Sequence, residues 1–137
     1  MGDAGWNVYF PKRDIGFDFI ATFTSTEGVL VRPVQVKGLY PTEVKKDKAG
    51  YGYIGKLTQL HDDMVLALPY FSTDKAGPAP TCIAYMPRRE IRPQLGSGFK
   101  CTPAKFVSGQ AQPRETFRSY FGLAGLSAIA SSAWGKS

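Results

Sequence analysis

A short connection between two β-rich segments constrains this chain more than any other feature of its sequence. The segments Phe17–Thr24 and Val29–Gly38 are rich in aromatic and β-branched residues, and only the four residues Ser25–Gly28 separate them. A loop of this length between such segments predicts an antiparallel hairpin, and the loop also sets the register of the two strands. Thr24 then lies opposite Val29, and every other pair follows from that one.

This register brings polar residues together at one end of the hairpin. Asp18 falls opposite Gln35, and Lys37 lies two residues further along the same strand face. The opposite face is expected to carry the apolar residues Phe17, Phe19, Ala21 and Phe23. Pro33 cannot donate a ladder hydrogen bond, so an edge position or a bulge is expected there, and a bulge would shift the register by one residue.

The three polar groups suit the chemistry of a metal site. Carboxylate and amide oxygens, such as those of Asp18 and Gln35, are ligands that Mg²⁺ or Mn²⁺ takes in proteins. The Lys37 ammonium beside such an ion can orient a water molecule or offset charge on a phosphoryl oxygen. In the structural alternative, Asp18 caps a turn, Gln35 bonds across an edge and Lys37 ends a strand in solvent. The clustering of all three on one face favours the metal site.

The rest of the sequence completes a single domain, residues 1–137, of the α+β class with a central mixed β-sheet. Further strands are predicted at Trp6–Pro11, Met64–Phe71 and Thr81–Pro87. The second of these is a continuous apolar run, which is typical of a strand buried on both faces.

Helices and irregular segments are predicted between and after these strands. A brief helix is expected at Lys56–Asp63, and a longer one at Arg114–Ile129, where two glycines weaken the second half. Residues 93–113 are rich in Gly, Pro, Ser and Lys, which predicts an irregular excursion. Residues 130–137 are expected to form a frayed tail.

The motif GFD at Gly16–Asp18, followed by VQVKG at Val34–Gly38, resembles the PD-(D/E)xK nuclease superfamily, which has the restriction-endonuclease-like fold. The most similar forms are small bacterial domains reading G-x-D and then Q-x-K, and archaeal Holliday-junction resolvases reading G-x-D and then E-x-K. The resemblance covers Gly5–Leu66, including the predicted order of helix and apolar strand after the lysine. It implies an α/β/α-like arrangement, in which helices flank the central mixed sheet.

The same resemblance implies a metal-dependent phosphodiesterase. Asp18 and Gln35 are then the catalytic ligands of Mg²⁺ or Mn²⁺, and Lys37 assists the attacking water. The expected activity is that of an endonuclease-like enzyme on nucleic acid, with DNA favoured over RNA. Two alternatives stay open: a non-catalytic nucleic-acid-binding module of the same fold, and a small interaction subunit of a defence or phage-related assembly.

The chain departs from the family pattern in two places. Gln35 stands where an acid is usual, which removes one negative charge from the metal site. The family helix that often supplies a Glu normally precedes the first strand, and only five residues precede Trp6 here. Asp14 or Asp3 is a candidate replacement for that Glu, and Gln59 is a candidate accessory residue on the helix after the lysine.

The charge of the chain favours a polyanionic partner. Its formal net charge is +6 at pH 7, and its pI is about 9.4. Basic residues that flank the hairpin or follow the last predicted strand are expected to contact nucleic acid: Lys12, Arg13, Lys45, Lys46, Lys48, Arg88 and Arg89.

A cytoplasmic protein without a membrane partner is expected. No segment approaches the roughly 18 apolar residues of a membrane span, and the first residues carry no secretory signal. Cys82 and Cys101 are expected to be reduced thiols. The short N-terminus predicts an uncovered apolar sheet face, and a homodimer is one way to bury it.

Overall fold

The computed structural model describes residues 5–13, 16–26, 28–41, 54–57, 59–72, 79–93, 96, 98–131 and 134. Within them the chain is a mixed α+β protein built on one five-stranded sheet. The strands, in chain order and in spatial order alike, are β1 (Asn7–Tyr9), β2 (Phe19–Ser25), β3 (Gly28–Val36), β4 (Val65–Tyr70) and β5 (Cys82–Pro87). Neighbouring strands are antiparallel, except that β4 runs parallel to β3.

The hairpin of β2 and β3 has the predicted register. Thr24 pairs with Val29 and Ile20 pairs with Pro33, and no bulge interrupts the ladder between them. Pro33 is tolerated because the pairing of β3 with β4 begins only at Val34, so that Pro33 lies where β3 has β2 alone as its neighbour.

The apolar run is a buried strand, as predicted. Val65, Leu66, Leu68 and Tyr70 of β4 are all fully buried, since β4 has a strand on each side and packed side chains on each face. Its parallel pairing with β3 requires the long crossover that residues 37–64 provide.

The helix predicted at Lys56–Asp63 is wrong for the described part of that segment, residues 56–57 and 59–63, which contains only a turn before Met64. His61 Nδ1 accepts a hydrogen bond from the backbone N–H of Asp63, and this local bond competes with the backbone hydrogen bonds of a helix. Leu57 and Leu60 instead pack against the core from an irregular backbone.

One sheet face packs against the C-terminal helix. Alternate residues of the strands on this face are joined in one apolar cluster by two tryptophans and the end of the helix: Ala21, Val34, Val65, Ala67, Tyr85, Trp6, Trp134 and Ile129. Phe19 and Phe23 of β2 pack against the same cluster.

The other face packs against the crossover and the short C-terminal strands. Its cluster takes the intervening strand residues and apolar side chains from later segments, including Leu66, Leu68, Tyr70, Met86, Ile91, Cys101 and Phe106. Phe17 belongs to this second cluster, so the prediction that it shares a face with Phe19 is wrong. β2 begins only at Phe19, and Gly16, with φ of 88°, lets the chain bend before it.

Residues 93–113 are only partly irregular where the structure describes them, since residues 96, 98 and 101–103 lie outside strands and helices. Two antiparallel ladders occur there, β6 (Arg92–Pro93) with β7 (Phe99–Lys100), and β8 (Ala104–Val107) with β9 (Gln110–Pro113). Ser108 and Gly109 both have positive φ, of 53° and 80°, which is the geometry of a tight type I′ hairpin turn. Ser-Gly is therefore the sequence signal that the composition of the segment obscured.

The segment predicted as one helix divides in two. Glu115–Tyr120 is a 3₁₀ helix and α1 is Gly122–Ile129, separated by Phe121, which bridges to Ala84 of β5. The half with the glycines is thus the α-helical one. Among the described residues no helix is long and apolar enough to cross a membrane.

The tail is held at Trp134. Its side chain is 5% exposed, and its indole Nε1 donates a hydrogen bond to the Met64 carbonyl at 3.1 Å. The prediction of a frayed tail is therefore wrong at this residue, because the indole both fills the cluster beneath α1 and satisfies a buried carbonyl.

Candidate functional site

The structure brings Asp18 and Gln35 into contact where β2 begins and β3 ends. The Asp18 backbone N–H donates to the Val34 carbonyl at 2.9 Å, which holds Asp18 beside β3 although it precedes β2. Asp18 Oδ2 accepts hydrogen bonds from Gln35 Nε2 at 3.2 Å and from the backbone N–H of Val36 at 2.6 Å. The sequence prediction that these two side chains meet is confirmed.

Gln35 carries a polar atom that the protein leaves without a partner. Its Oε1 is buried and accepts no hydrogen bond in the described part of the chain. A buried acceptor without a donor costs about 1–3 kcal/mol, and native structures contain few of them. Because Nε2 is bonded to Asp18, the orientation of the amide is fixed, and Oε1 is held ready for an external donor or cation.

Lys37 lies beside this pair at the end of β3. Its backbone N–H donates to the Ala67 carbonyl at 3.0 Å, so the pairing with β4 continues one residue beyond the strand. The strand period then places its side chain on the face of Gln35. No described residue forms a hydrogen bond or an ion pair with the Lys37 ammonium, whose charge is therefore available to a ligand.

The oxygen atoms of Asp18 and Gln35 suit a hard divalent cation that takes few of its ligands from the protein. Asp18 is exposed and offers carboxylate oxygen, and Gln35 offers a neutral carbonyl oxygen. The described residues contain no group of three or more His, Cys, Asp or Glu side chains arranged to hold a metal. Asp14, the candidate third ligand, and Asp3 lie outside the described residues. Mg²⁺ commonly completes such a partial set with water and phosphate oxygens.

The predicted basic residues divide into separate groups. Lys12 and Arg13 are exposed and lie on the connection between β1 and Asp18, at the same end of the sheet as the candidate site. Lys45, Lys46 and Lys48 lie outside the described residues.

The arginines after β5 follow a strand that is separated from β3 by β4. β5 ends at Pro87, which pairs with Val65 at the start of β4, and Gln35 pairs with the next β4 residue, Leu66. Arg88 donates to the Ile91 carbonyl and Arg89 to the Tyr120 hydroxyl. Arg88 and Arg89 thus lie across β4 from Gln35, and their contact with nucleic acid stays a prediction.

The candidate accessory residue Gln59 is exposed on the crossover, and it belongs to no helix. The neighbouring His61 lines an open depression of about 470 Å³ together with Leu60, Asp62, Asp63 and Arg88. This depression lies just before the start of β4.

Sequence reasoning missed an aromatic pair at the same end of β3 as the site. Tyr40 and Phe71 stack with ring centroids 4.6 Å apart and planes within 7° of parallel. The backbone between them is held by bonds from Leu39 N–H to the Pro69 carbonyl and from Phe71 N–H to the Leu39 carbonyl, both 2.9 Å. The signal in the sequence was an aromatic residue three positions after the lysine and another at the end of the apolar run.

No protein-family model, curated protein or solved structure matches the chain. A site at this end of the sheet is therefore supported by geometry: a carboxylate, an amide with an unpartnered oxygen and an ammonium lie together on adjacent strands.

Proposed function

We propose that the protein is a metal-dependent phosphodiesterase, endonuclease-like in its chemistry, that acts on nucleic acid, with DNA favoured over RNA. The observation that carries the proposal is the contact of Asp18 with Gln35, whose buried Oε1 has no partner among the described residues, two residues before Lys37. A purely structural cross-strand pair needs only the amide nitrogen of Gln35, and it gives no reason for Oε1 to be buried without a partner.

Asp18 and Gln35 are the residues that would hold Mg²⁺ or Mn²⁺. The bound ion would supply Lewis-acid stabilisation of a phosphoryl oxygen and would lower the pKa of a bound water. The Val36 N–H fixes the orientation of the Asp18 carboxylate, and the Asp18 carboxylate fixes that of the Gln35 amide. Lys37 positions the attacking water or offsets the charge that develops on the phosphate.

A restriction-endonuclease-like fold is part of the proposal. Its support is the order of a hairpin bearing the polar residues, a crossover, and an apolar strand parallel to the second hairpin strand. The absence of a helix in the described part of the crossover counts against a full α/β/α arrangement. A layer of helix is present on one sheet face, as α1.

A homodimer is also proposed, on the exposed face of the hairpin. Val29 and Val31 lie on one face of β3, because each pairs with a β2 residue of the same face, and both are exposed. The β2 residues opposite them, Thr22 and Thr24, are uncharged. Sedimentation of the wild type and of a Val31→Lys variant tests this: the variant should be monomeric, and a wild-type monomer at high concentration would contradict the dimer.

The experiment that tests the function combines metal titration with cleavage. Calorimetric titration with Mn²⁺ should show binding to the wild type and at least tenfold weaker binding to Asp18→Asn and to Gln35→Met. Asp18→Asn keeps an oxygen to accept the Val36 N–H, so the hairpin should stay folded. Matched controls are Asp62→Asn and Gln112→Met, which change exposed residues that take no part in the Asp18–Gln35 contact and should bind as the wild type does.

A plasmid-nicking assay with Mg²⁺, Mn²⁺ or EDTA gives the second readout. Nicking that requires the metal and disappears in Lys37→Ala supports the phosphodiesterase. Equal metal affinity in the wild type and in Asp18→Asn would overturn the metal site. If the protein binds DNA in a salt-sensitive manner but cleaves it with none of the divalent ions, it is a non-catalytic binding module and not an enzyme.

A further inference from the structure

We propose that Tyr40 is a stacking platform for an unpaired base, and that the preferred substrate is therefore single-stranded nucleic acid or a strand with splayed bases. This inference rests on the proposed function, since it names the substrate form for the same site. It is carried by a separate observation, the exposed ring of Tyr40 stacked on the half-buried ring of Phe71.

The pair has the properties that base stacking requires. Tyr40 is 62% exposed although its ring is stacked on that of Phe71. Phe71 supports one face of the Tyr40 ring, and the planes are nearly parallel. Leu39 between them is buried and fixes the backbone on both sides. A rigid ring loses little conformational freedom when a base stacks on it.

The platform lies at the same end of β3 as the candidate site, on the opposite face of the sheet. Leu39 and Tyr70 belong to the cluster on the Gln35 face, and Tyr40 and Phe71 alternate with them. Lys37 precedes Tyr40 by three residues, a distance of at most about 10 Å along an extended chain. Both rings also pack beside Gly38, the residue after Lys37: an added Cβ there would lie 3.4 Å from Tyr40 Cε2 and 3.4 Å from Phe71 Cε2.

The ladder between β2 and β3 ends at Val34, so beyond Val36 the chain pairs with β4 and, among the described residues, has an open edge on its other side. A nucleic-acid strand that crosses this edge can place a phosphate at Lys37 and a base on Tyr40.

Charge favours a nucleic acid over an apolar protein segment as the occupant. Lys12, Arg13 and Lys37 lie at this end of the sheet, and the chain as a whole carries +6. Aromatic rings interleaved with cations are the usual means by which proteins bind single strands without sequence preference. A base within a duplex is already stacked on both faces, so it must leave the stack to reach Tyr40.

The test measures binding of three labelled probes by fluorescence anisotropy in EDTA: an oligo(dT) strand, an abasic strand of equal length and a duplex of equal length. Tyr40→Ala should weaken binding of oligo(dT) about 5- to 150-fold, from the usual contribution of one base–aromatic stack. It should leave the abasic strand and the duplex within about twofold of wild type. Tyr40→Phe should bind oligo(dT) as the wild type does, because it keeps the ring.

Controls separate this inference from the function on which it rests. Tyr9→Ala removes a tyrosine that is similarly exposed, at 57%, on the edge strand β1, and should bind all probes normally. Lys37→Ala should weaken all three probes together, because every one carries phosphates. An unchanged oligo(dT) affinity in Tyr40→Ala, with Lys37→Ala impaired, would overturn the platform and leave the function standing. Equal losses on the abasic strand would also overturn it, and no binding of any probe by the wild type would overturn both.

Discussion

Replacing Arg32 by methionine removes the side chain that ties the end of α1 to the central sheet. Arg32 lies in β3, is 4% exposed, and is the only buried charged residue in the part of the chain that the structure describes. Its Nε donates to the Ile129 carbonyl at 3.1 Å, and its Nη2 donates to the Ser131 carbonyl at 2.8 Å. The guanidinium thus caps the C-terminal end of α1, where carbonyls lack helical partners and the helix dipole favours a cation.

The expected loss follows from these two bonds. A hydrogen bond to a charged group contributes about 1.5–3 kcal/mol, so the two together contribute roughly 3–6 kcal/mol. Removing the guanidinium also relieves its desolvation, which offsets part of this, and methionine refills much of the volume. We expect the free energy of unfolding to fall by about 2–4 kcal/mol. Burial lowers the pKa of Arg32, and the Asp63 carboxylate opposes this shift. Because an arginine stays charged at neutral pH, the loss of stability in Arg32→Met should not depend on pH in that range.

Urea unfolding at neutral pH, followed by tryptophan fluorescence, measures this change. Trp6 and Trp134 belong to the same cluster as Ile129, so their emission reports the packing of α1. The midpoint should fall while the slope stays constant. Arg32→Lys, which keeps one charged donor, should lose less.

The matched control is Arg118→Met, which removes an exposed arginine paired with Glu115 and should change stability by no more than about 0.5 kcal/mol. An Arg32→Met midpoint equal to or above that of the wild type would contradict this expectation, since it would mean that the two bonds only compensate the burial of the charge.

Three further predictions concern other parts of the molecule. Gly125→Ala should destabilise the protein in urea unfolding, because a Cβ would overlap the Tyr120 carbonyl oxygen, although alanine is the better helix former by about 1 kcal/mol. The control is Ser127→Ala at an exposed helix position, and a Gly125→Ala protein more stable than the wild type would show that the overlap relaxes freely. Burial raises the pKa of Cys101 from its ordinary value of 9.0 to about 12, so the stability due to the neutral thiol is complete below about pH 9 and falls above it by up to about 1.4 kcal/mol per pH unit. In Cys101→Ala the alkaline decline of the urea midpoint should be less steep, by the contribution of one proton, and a decline identical to that of the wild type would contradict the assignment. Changing Lys12 and Arg13 together to glutamine should reduce the slope of log affinity against log salt on duplex DNA by about 0.9 for each phosphate that is no longer neutralised, whereas an unchanged slope would place the binding face elsewhere.

The hairpin was predictable because everything that determines it lies within residues 17–38. A short loop sets the register, and the register alone places Asp18 against Gln35, so the central contact of the candidate site follows from local rules. The buried strand β4 was predictable for a similar reason, since a continuous apolar run needs cover on both faces. The aromatic pair was not predictable, because Tyr40 and Phe71 meet only through the parallel pairing of β3 with β4.

The errors arose where tertiary contacts override local preference. Gly122 and Gly125 weaken a helix in isolation, yet α1 forms there: Gly122 has φ of 62°, and Gly125 packs against Tyr120 so closely that no side chain would fit. The Lys56–Asp63 segment has helical composition, but isolated segments this short rarely hold a helix, and its leucines are used singly to cover the core. Trp134 is likewise ordered by a cluster assembled from the rest of the chain.

The decisive question at the site is why a glutamine occupies position 35. For cross-strand pairing, a single donor to Asp18 is enough, and the Val36 N–H already donates to that carboxylate at 2.6 Å. The amide therefore adds little to a bond that exists without it, while its Oε1 is buried without a partner among the described residues, at a cost of about 1–3 kcal/mol. A methionine of similar length would avoid that cost. A residue that lowers stability where an apolar one would raise it is typical of a binding site, and the atom responsible for the cost is the one that a divalent cation would take as a ligand. Stability and metal affinity should therefore change in opposite directions in Gln35→Met, a combination that a purely structural role for Gln35 does not produce.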